Sequence, residues 1–439
     1  MSNKPRPTRS RLPGGRFGAL VLSVLSPGVF MVKGQDALFN ATAVQGAIGG
    51  QSSAFGPASE QLQLGPVNFN LGAFTSLTWN DNINGAQTNA ESDILSQTGI
   101  NLGLEWPATE HSDLRLSTGV GYLHYFRYTA DSGLTVTPGS ALSYAFSWND
   151  ASVTFYDQAS YTRQVTAEAA LANVATLPQF GNTAGLLGEW DPGHWTLQTS
   201  YSHVINLSDS AHNYLNNNLE EFFGHAGWRF AQATQVGVEA SASLASYQVA
   251  SQNNDSSYSL GAYLDWQVTS WLQFTARGGP TFYEFYPQTP GAANSSLNSW
   301  YVSFGMNNQI TDFLSQNVSV LRSIQLSVNQ GSSYVEQLSA AYSLSWAVTR
   351  RINLIASVSY DDGQQPFLIG YLINIPGILV IPDYTTEHYQ LYSGGLSAAW
   401  QFTDHLAASL AYSHTQRDSN LVGRTYSADS VTAQLSYNF

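Results

Sequence analysis

The sequence predicts an all-β fold, with antiparallel strands closed into a transmembrane up-and-down β-barrel of about eighteen strands. Three observations predict it. Seven of the eleven tryptophans, Trp106, Trp148, Trp190, Trp228, Trp266, Trp346 and Trp400, recur at intervals of roughly forty residues. Between these marks apolar and polar residues alternate with period two, the pattern of strands. The chain keeps that alternation to its end, with Val431, Ala433, Leu435, Tyr437 and Phe439 on one face and Thr432, Gln434, Ser436 and Asn438 on the other.

The gap between Trp266 and Trp346 closes at the level of the local sequence. Trp266-Gln-Val-Thr-Ser, Trp346-Ala-Val-Thr-Arg and Trp400-Gln-Phe-Thr-Asp have a fourth copy in Asn308-Gln-Ile-Thr-Asp. A repeat near forty residues also suits propeller blades and helical solenoids. Alternation such as Leu338, Ala340, Tyr342 and Leu344 against Gln337, Ser339, Ala341 and Ser343 argues against helices. Segments of about ten to fifteen residues exceed the usual five or six of globular strands and match tilted membrane strands.

At the N-terminus, Lys4, Arg6, Arg9, Arg11 and Arg16 precede the apolar stretch 17–32, which Pro27-Gly28 breaks. This is the pattern of a secretory signal peptide over residues 1–34, with an anchor helix as the alternative. Residues 35–66 read as a flexible periplasmic lead-in, and 67–439 as the barrel. Strands are expected at 67–81, 93–106, 113–129, 137–148, 152–164, 179–190, 194–207, 216–229, 234–249, 257–268, 271–286, 298–309, 314–328, 334–347, 351–361, 387–402, 405–417 and 426–439.

Even-numbered strands of that series end in short links such as Asn149-Asp150 and Thr403-Asp404, and odd-numbered ones in longer polar stretches such as 82–92. Short turns belong to the periplasm and longer links to the exterior. The seven tryptophans then form a periplasmic aromatic girdle, where an indole places its ring in lipid and its N–H among headgroups. Core packing in a soluble sandwich or propeller is the competing account of them.

Composition narrows the function. Without residues 1–34 the chain keeps ten basic residues, all arginine, against thirty acids, a formal charge of −20. That disfavours nucleic acid, which needs a basic surface. There is no cysteine, hence no disulfide, thiolate nucleophile or cysteine-ligated metal. The nine histidines show no metal-ligand spacing and no nucleophile motif is present, so neither enzyme nor cofactor is expected.

If each girdle tryptophan faces lipid, its predecessor faces the lumen at the periplasmic mouth, which places Glu105, Glu189 and Asp265 there. Alternation also puts Arg115, Glu239 and Arg277 inside, among Ser, Thr, Asn and Gln. Such a wall suits neutral, hydroxyl-rich solutes better than ions of one sign, although each residue alone could simply solvate it. Arg322 departs from the pattern: alternation with Val320 and Ile324 points it at lipid, so a bulge, snorkelling or a shifted register is expected. The aliphatic run 367–381 lies in an expected external link, 362–386, and could enter the lumen, cover an interface or pack on the rim. Asp361-Asp362 reads as a solvated pair at a strand end.

The first hairpin, Phe74-Thr-Ser-Leu-Thr-Trp79-Asn80-Asp81-Asn82-Ile83 with Ser92-Asp93-Ile94 and Gly99-Ile-Asn-Leu-Gly-Leu, resembles the opening of the β-barrel porin 2 family. That family is similar to outer-membrane barrels associated with exopolysaccharide export. The match rests on Asp81-Asn82 facing Asp93; beyond it only strand rhythm and the terminal Phe439 agree. Tyr437 and Phe439 resemble the C-terminal assembly signal read by the barrel assembly machinery of Gram-negative outer membranes.

The expected function is therefore a porin-like channel in the bacterial outer membrane for hydrophilic, saccharide-type solutes, with outer-membrane lipid and polysaccharide export components as partners. A closed structural or adhesin-type surface barrel is the alternative, and an outer-membrane enzyme a more distant one.

Overall fold

In the computed structural model, residues 62–164, 169–231, 233–288, 295–374 and 379–439 are described. The proposed signal peptide and most of the lead-in lie outside them. The strands are β1 (Leu62–Leu64), β2 (Val67–Asn80), β3 (Asp93–Thr109), β4 (Ser112–Tyr125), β5 (Gly133–Trp148), β6 (Ala151–Gln164), β7 (Thr176–Trp190), β8 (Trp195–Ser208), β9 (Asn217–Ala231) and β10 (Thr234–Tyr247). They continue as β11 (Asn254–Thr269), β12 (Leu272–Tyr286), β13 (Ser295–Thr311), β14 (Leu314–Leu326), β15 (Tyr334–Thr349), β16 (Ile352–Asn374), β17 (Leu379–Gln401), β18 (Leu406–Ser419) and β19 (Tyr426–Asn438).

Each strand from β2 to β19 pairs antiparallel with its sequence neighbour, and β19 returns to β2 with Asn438 opposite Gly72, closing an 18-stranded ring. Closure removes the open edges that the ring would otherwise present to lipid, which cannot hydrogen-bond them. The short β1 lies outside the ring and folds back on the start of β2, Leu62 opposite Phe69.

The period-two pattern sorts the wall into two faces. On β9, Leu219, Glu221 and Phe223 are buried inward while Phe222, Trp228 and Phe230 are exposed outward. All seven marker tryptophans are exposed at the short-turn end. Trp195 joins them on the next strand and stacks on Trp228 with ring centroids 6.4 Å apart. The last strand behaves alike: Leu435, Tyr437 and Phe439 are exposed outward, and the Phe439 N–H donates to the Leu71 carbonyl at 2.9 Å.

One expectation needs correction and another is narrowed. Residues 362–374 and 379–386 are strand and not loop: β16 and β17 run 23 residues each and remain paired from Asp362 opposite Gln390 to Asn374 opposite Leu379, with one irregularity between Leu368 and Gly370. Aliphatic, β-branched residues continue the ladder where a loop would have broken it. Arg322 needs neither a bulge nor a shifted register, since Val302 opposes it and Leu338 flanks it on the other side. It points outward, lies over the Trp300 ring at 4.1 Å and pairs with Glu336 at 3.0 Å. A stacked, ion-paired guanidinium can stand on the outer wall because its charge is matched there.

Candidate pore and its inserted loop

Inward tyrosines and glycines alternate around part of the ring. A Cβ added at Gly185 would strike Tyr156, at Gly227 and Gly237 Tyr263, at Gly261 Tyr301, and at Gly363 Tyr389. Each ring lies across a neighbouring strand where no side chain stands, so the abundant glycine seats aromatic rings flat on the inner wall. The Tyr301 hydroxyl donates to Glu239 at 2.7 Å, and Arg277 approaches the other oxygen of Glu239 at 3.4 Å. Glu239 and Arg277, both placed in the lumen by alternation, thus meet in one inward-facing network.

At the periplasmic end, Glu105 lies opposite Arg115, which reaches it at 3.4 Å and Asp113 at 2.9 Å. Glu189 accepts from Gln198 at 3.2 Å and from Ser152 at 3.4 Å. Asp265 stands opposite Gln235 and Thr275. The three mouth acids are therefore dispersed over different strands, and one of them has its charge balanced. Among the described residues no three His, Asp or Glu side chains are grouped to hold a metal.

The extracellular end is different. From the link between β6 and β7, residues Ala169, Ala170 and Leu171 are all but fully buried, clustered with Leu215, Val328, Val335, Tyr389 and Leu391. These partners come from the β8–β9 link, the β14–β15 link, β15 and β17. Asn329, on the opposite side of the ring from β6, donates to the Ala170 carbonyl at 3.0 Å. The Asn173 N–H donates to the Gly85 carbonyl of the β2–β3 link at 3.1 Å. A segment bonded to opposite sides of a closed ring must cross its lumen.

Charge fastens the crossing. Arg417 of β18 donates to the Ala169 carbonyl at 2.8 Å, to the Arg424 carbonyl at 2.7 Å and to Glu387 at 2.8 Å. Arg424 donates to Glu387 at 2.7 Å and to the Ala170 carbonyl at 2.6 Å. Glu387 also accepts from Ser419 and Gln365, both at 2.8 Å, and Gln365 accepts from Asn329 at 3.1 Å. Arg417 and Glu387 are 0% exposed. Both guanidiniums stack on rings, Arg417 on Tyr389 and Arg424 on Phe367, at 4.6 Å each. Desolvating such charges is costly unless nearly every donor and acceptor is met, as here.

Sequence reading missed this clasp, because the Ala-rich residues 165–178 simply fell between two expected strands and Arg417 closed another as one more alternating wall residue. The signal that was present is two arginines, Arg417 and Arg424, flanking one short external link in a chain poor in basic residues. Asp361-Asp362 likewise divides across the wall. Asp361 is fully buried inward, accepting from Gln337 at 2.9 Å and Ser339 at 2.5 Å, whereas Asp362 faces outward to Gln390 at 3.4 Å. The hairpin residues behind the family resemblance fasten loops: Asp93 accepts the N–H groups of Ile94, Arg127 and Tyr128, and Asn82 donates to the Ala86 and Ser427 carbonyls.

A closed antiparallel ring, apolar and aromatic outside and polar within, defines a β-barrel of the bacterial outer membrane. Solved structures of similar shape include OccK2 (OpdF) of Pseudomonas aeruginosa in complex with glucuronate, at 10% identity and TM-score 0.47, covering 86% of this chain and 98% of that one. OpdK of the same organism, with vanillate, gives 10% identity and TM-score 0.45 over 84% and 98%. OccAB3 of Acinetobacter baumannii gives 9% and 0.45 over 84% and 99%. Likeness at this level fixes neither family nor cargo, and the barrel rests on its own strand closure. No family model and no curated protein matches the chain.

Proposed function

We propose that the chain is a porin-like channel for small hydrophilic solutes, with neutral saccharides the favoured class. One observation carries this reading: the ring has 18 strands, a number that leaves an aqueous lumen, and it is lined inward by hydroxyl and amide groups. Asn307, Asn317 and Ser147 keep the periplasmic part of that lining exposed. Glu105, Glu189 and Asp265 would weight the mouth against anions, with Arg115 offsetting Glu105 at the same level and Glu239 with Arg277 in balance above them. The crossing loop suits small solutes better than a polymer, so a part in exopolysaccharide export would require that loop to move aside.

In the same reading residues 1–34 direct export, and Tyr437 and Phe439 present the strand end to the assembly machinery. A closed surface barrel is the second reading, favoured by the links knitted together at the extracellular end. Swelling of proteoliposomes in mono-, di- and trisaccharide solutions separates the two. Entry that falls with solute size supports the channel; no entry of any sugar into vesicles holding folded barrel supports the closed form.

A further inference from the structure

We infer that a row of carboxamides on one side of the inner wall, near the periplasmic mouth, is a binding subsite for a neutral oligosaccharide. This names a site within the channel reading and rests on it for access, although binding can be measured without conduction. Gln267 of β11, Gln273 of β12, Asn307 of β13 and Asn317 of β14 stand directly opposite one another from strand to strand, and Ser343 of β15 continues the row. Alternation with the outward Trp266, Phe304 and Trp346 turns the row into the lumen. These residues line a cavity of about 320 Å³ that also takes in Trp271 of the β11–β12 turn. Ligand pockets begin at roughly that size.

The chemistry of the row fits hydroxyl groups. A carboxamide offers two N–H donors and an acceptor oxygen, and a sugar hydroxyl both gives and accepts. Asn317 donates to Asn307, and Gln267 donates to the Thr269 carbonyl at 2.6 Å, so these side chains are held in place with donors and acceptors to spare. Neighbouring strands lie about 4.8 Å apart, which repeats the amides at a pitch comparable to that of successive rings in a linear saccharide. The next inward row, Gly305, Ser319 and Ala341, is small and leaves room for a ring above the amides. Charge narrows the ligand further. The inward positions of β13, β14 and β15 in this half are uncharged, and Asp265 stands two positions from Gln267 at the β11 end of the row. A short peptide would bring charged termini that such a row cannot pair, and an ion would find no counter-charge. The exposed indole of Trp271 supplies a flat apolar face of the kind that packs on the C–H side of a sugar.

The test uses maltotriose as probe and the folded full-length protein in detergent, with binding read by saturation-transfer NMR at millimolar sugar. The wild type is expected to transfer saturation to the sugar ring protons. Asn307→Ala with Asn317→Ala is expected to weaken affinity by about tenfold while keeping the wild-type far-UV spectrum. Trp271→Ala is expected to act in the same direction. If the double variant does not fold, Ser343→Trp fills the cavity without removing an amide and is expected to abolish the transfer. Absence of transfer in the wild type, affinity indifferent to these changes, or tighter binding of trialanine than of maltotriose overturns the inference. A barrel that is silent in planar bilayers yet binds maltotriose at the row upholds the subsite and refutes passage. A conducting barrel that does not bind the sugar does the reverse, so the two readings fail separately.

Discussion

At the periplasmic end the inward Glu105, Ser147, Asn307 and Asn317 stay exposed, while at the extracellular end the inward Tyr125, Asp361, Glu387 and Arg417 are 0% exposed. The two sets lie on different strands of one continuous ring. What differs is the connections: links of a few residues at one end leave the lumen empty, and longer links at the other fold inward and fill it. The inward lining is thus buried at one end and open at the other, and the two ends should respond differently to mutation.

The largest contrast is expected at the clasp. Arg417→Ala leaves Glu387 with one cation and strips the Ala169 carbonyl of its donor; breaking a buried pair in this way costs on the order of 3–5 kcal/mol. A matching fall in the denaturant midpoint in detergent is the expected result, and a shift below a third of that would mean the network is not dry. Next comes the wall between the two ends. Gly261→Ala puts a methyl where the Tyr301 hydroxyl sits and pushes it off Glu239, an overpacking expected to cost about 1–3 kcal/mol. Thermal unfolding reads it directly, and Tyr301→Phe in the same background should recover part of the loss.

Smaller effects are expected at the periplasmic mouth. Glu105→Gln, Glu189→Gln and Asp265→Asn together should raise relative anion permeability, with Glu105 contributing least because Arg115 already balances it. Reversal potentials under a salt gradient check this, and an unchanged selectivity would remove these acids from the conduction path. Smallest of all is the exposed pair in the β7–β8 turn, where the Arg229 guanidinium holds the Asp191 carboxyl below its ordinary range. A depressed carboxylate stabilises above its unfolded pKa and loses that contribution as pH falls through the folded one. For so exposed a pair the loss is about 0.2–0.5 kcal/mol, seen as a slight acid-side drop in melting temperature that Asp191→Asn abolishes.

The wall was legible in the sequence because alternation is a local, periodic signal. Trp148, Trp190 and Trp228 mark strand ends, and Leu435, Tyr437 and Phe439 share one outer face as their spacing requires. Arg322 shows the limit of that reasoning: its outward direction followed from alternation, but the Trp300 ring and Glu336 carboxylate that make it tolerable sit on other strands. The hairpin of β16 and β17 was misread because its aliphatic run, 367–381, lacks the apolar-polar alternation that marked the other strands. The clasp was illegible for a different reason. Some of its bonds join residues hundreds of positions apart, such as Arg424 and Ala170, and four of them end on backbone carbonyls, which any residue provides.

The most direct measurement of the account is single-channel conductance with neutral sugars of graded size added to one side of the bilayer at a time. Sugars too large to pass should enter the exposed periplasmic half and reduce the current from that side, yet have little effect from the extracellular side, where the crossing loop excludes them. Equal block from both sides would contradict a lumen open at one end and filled at the other.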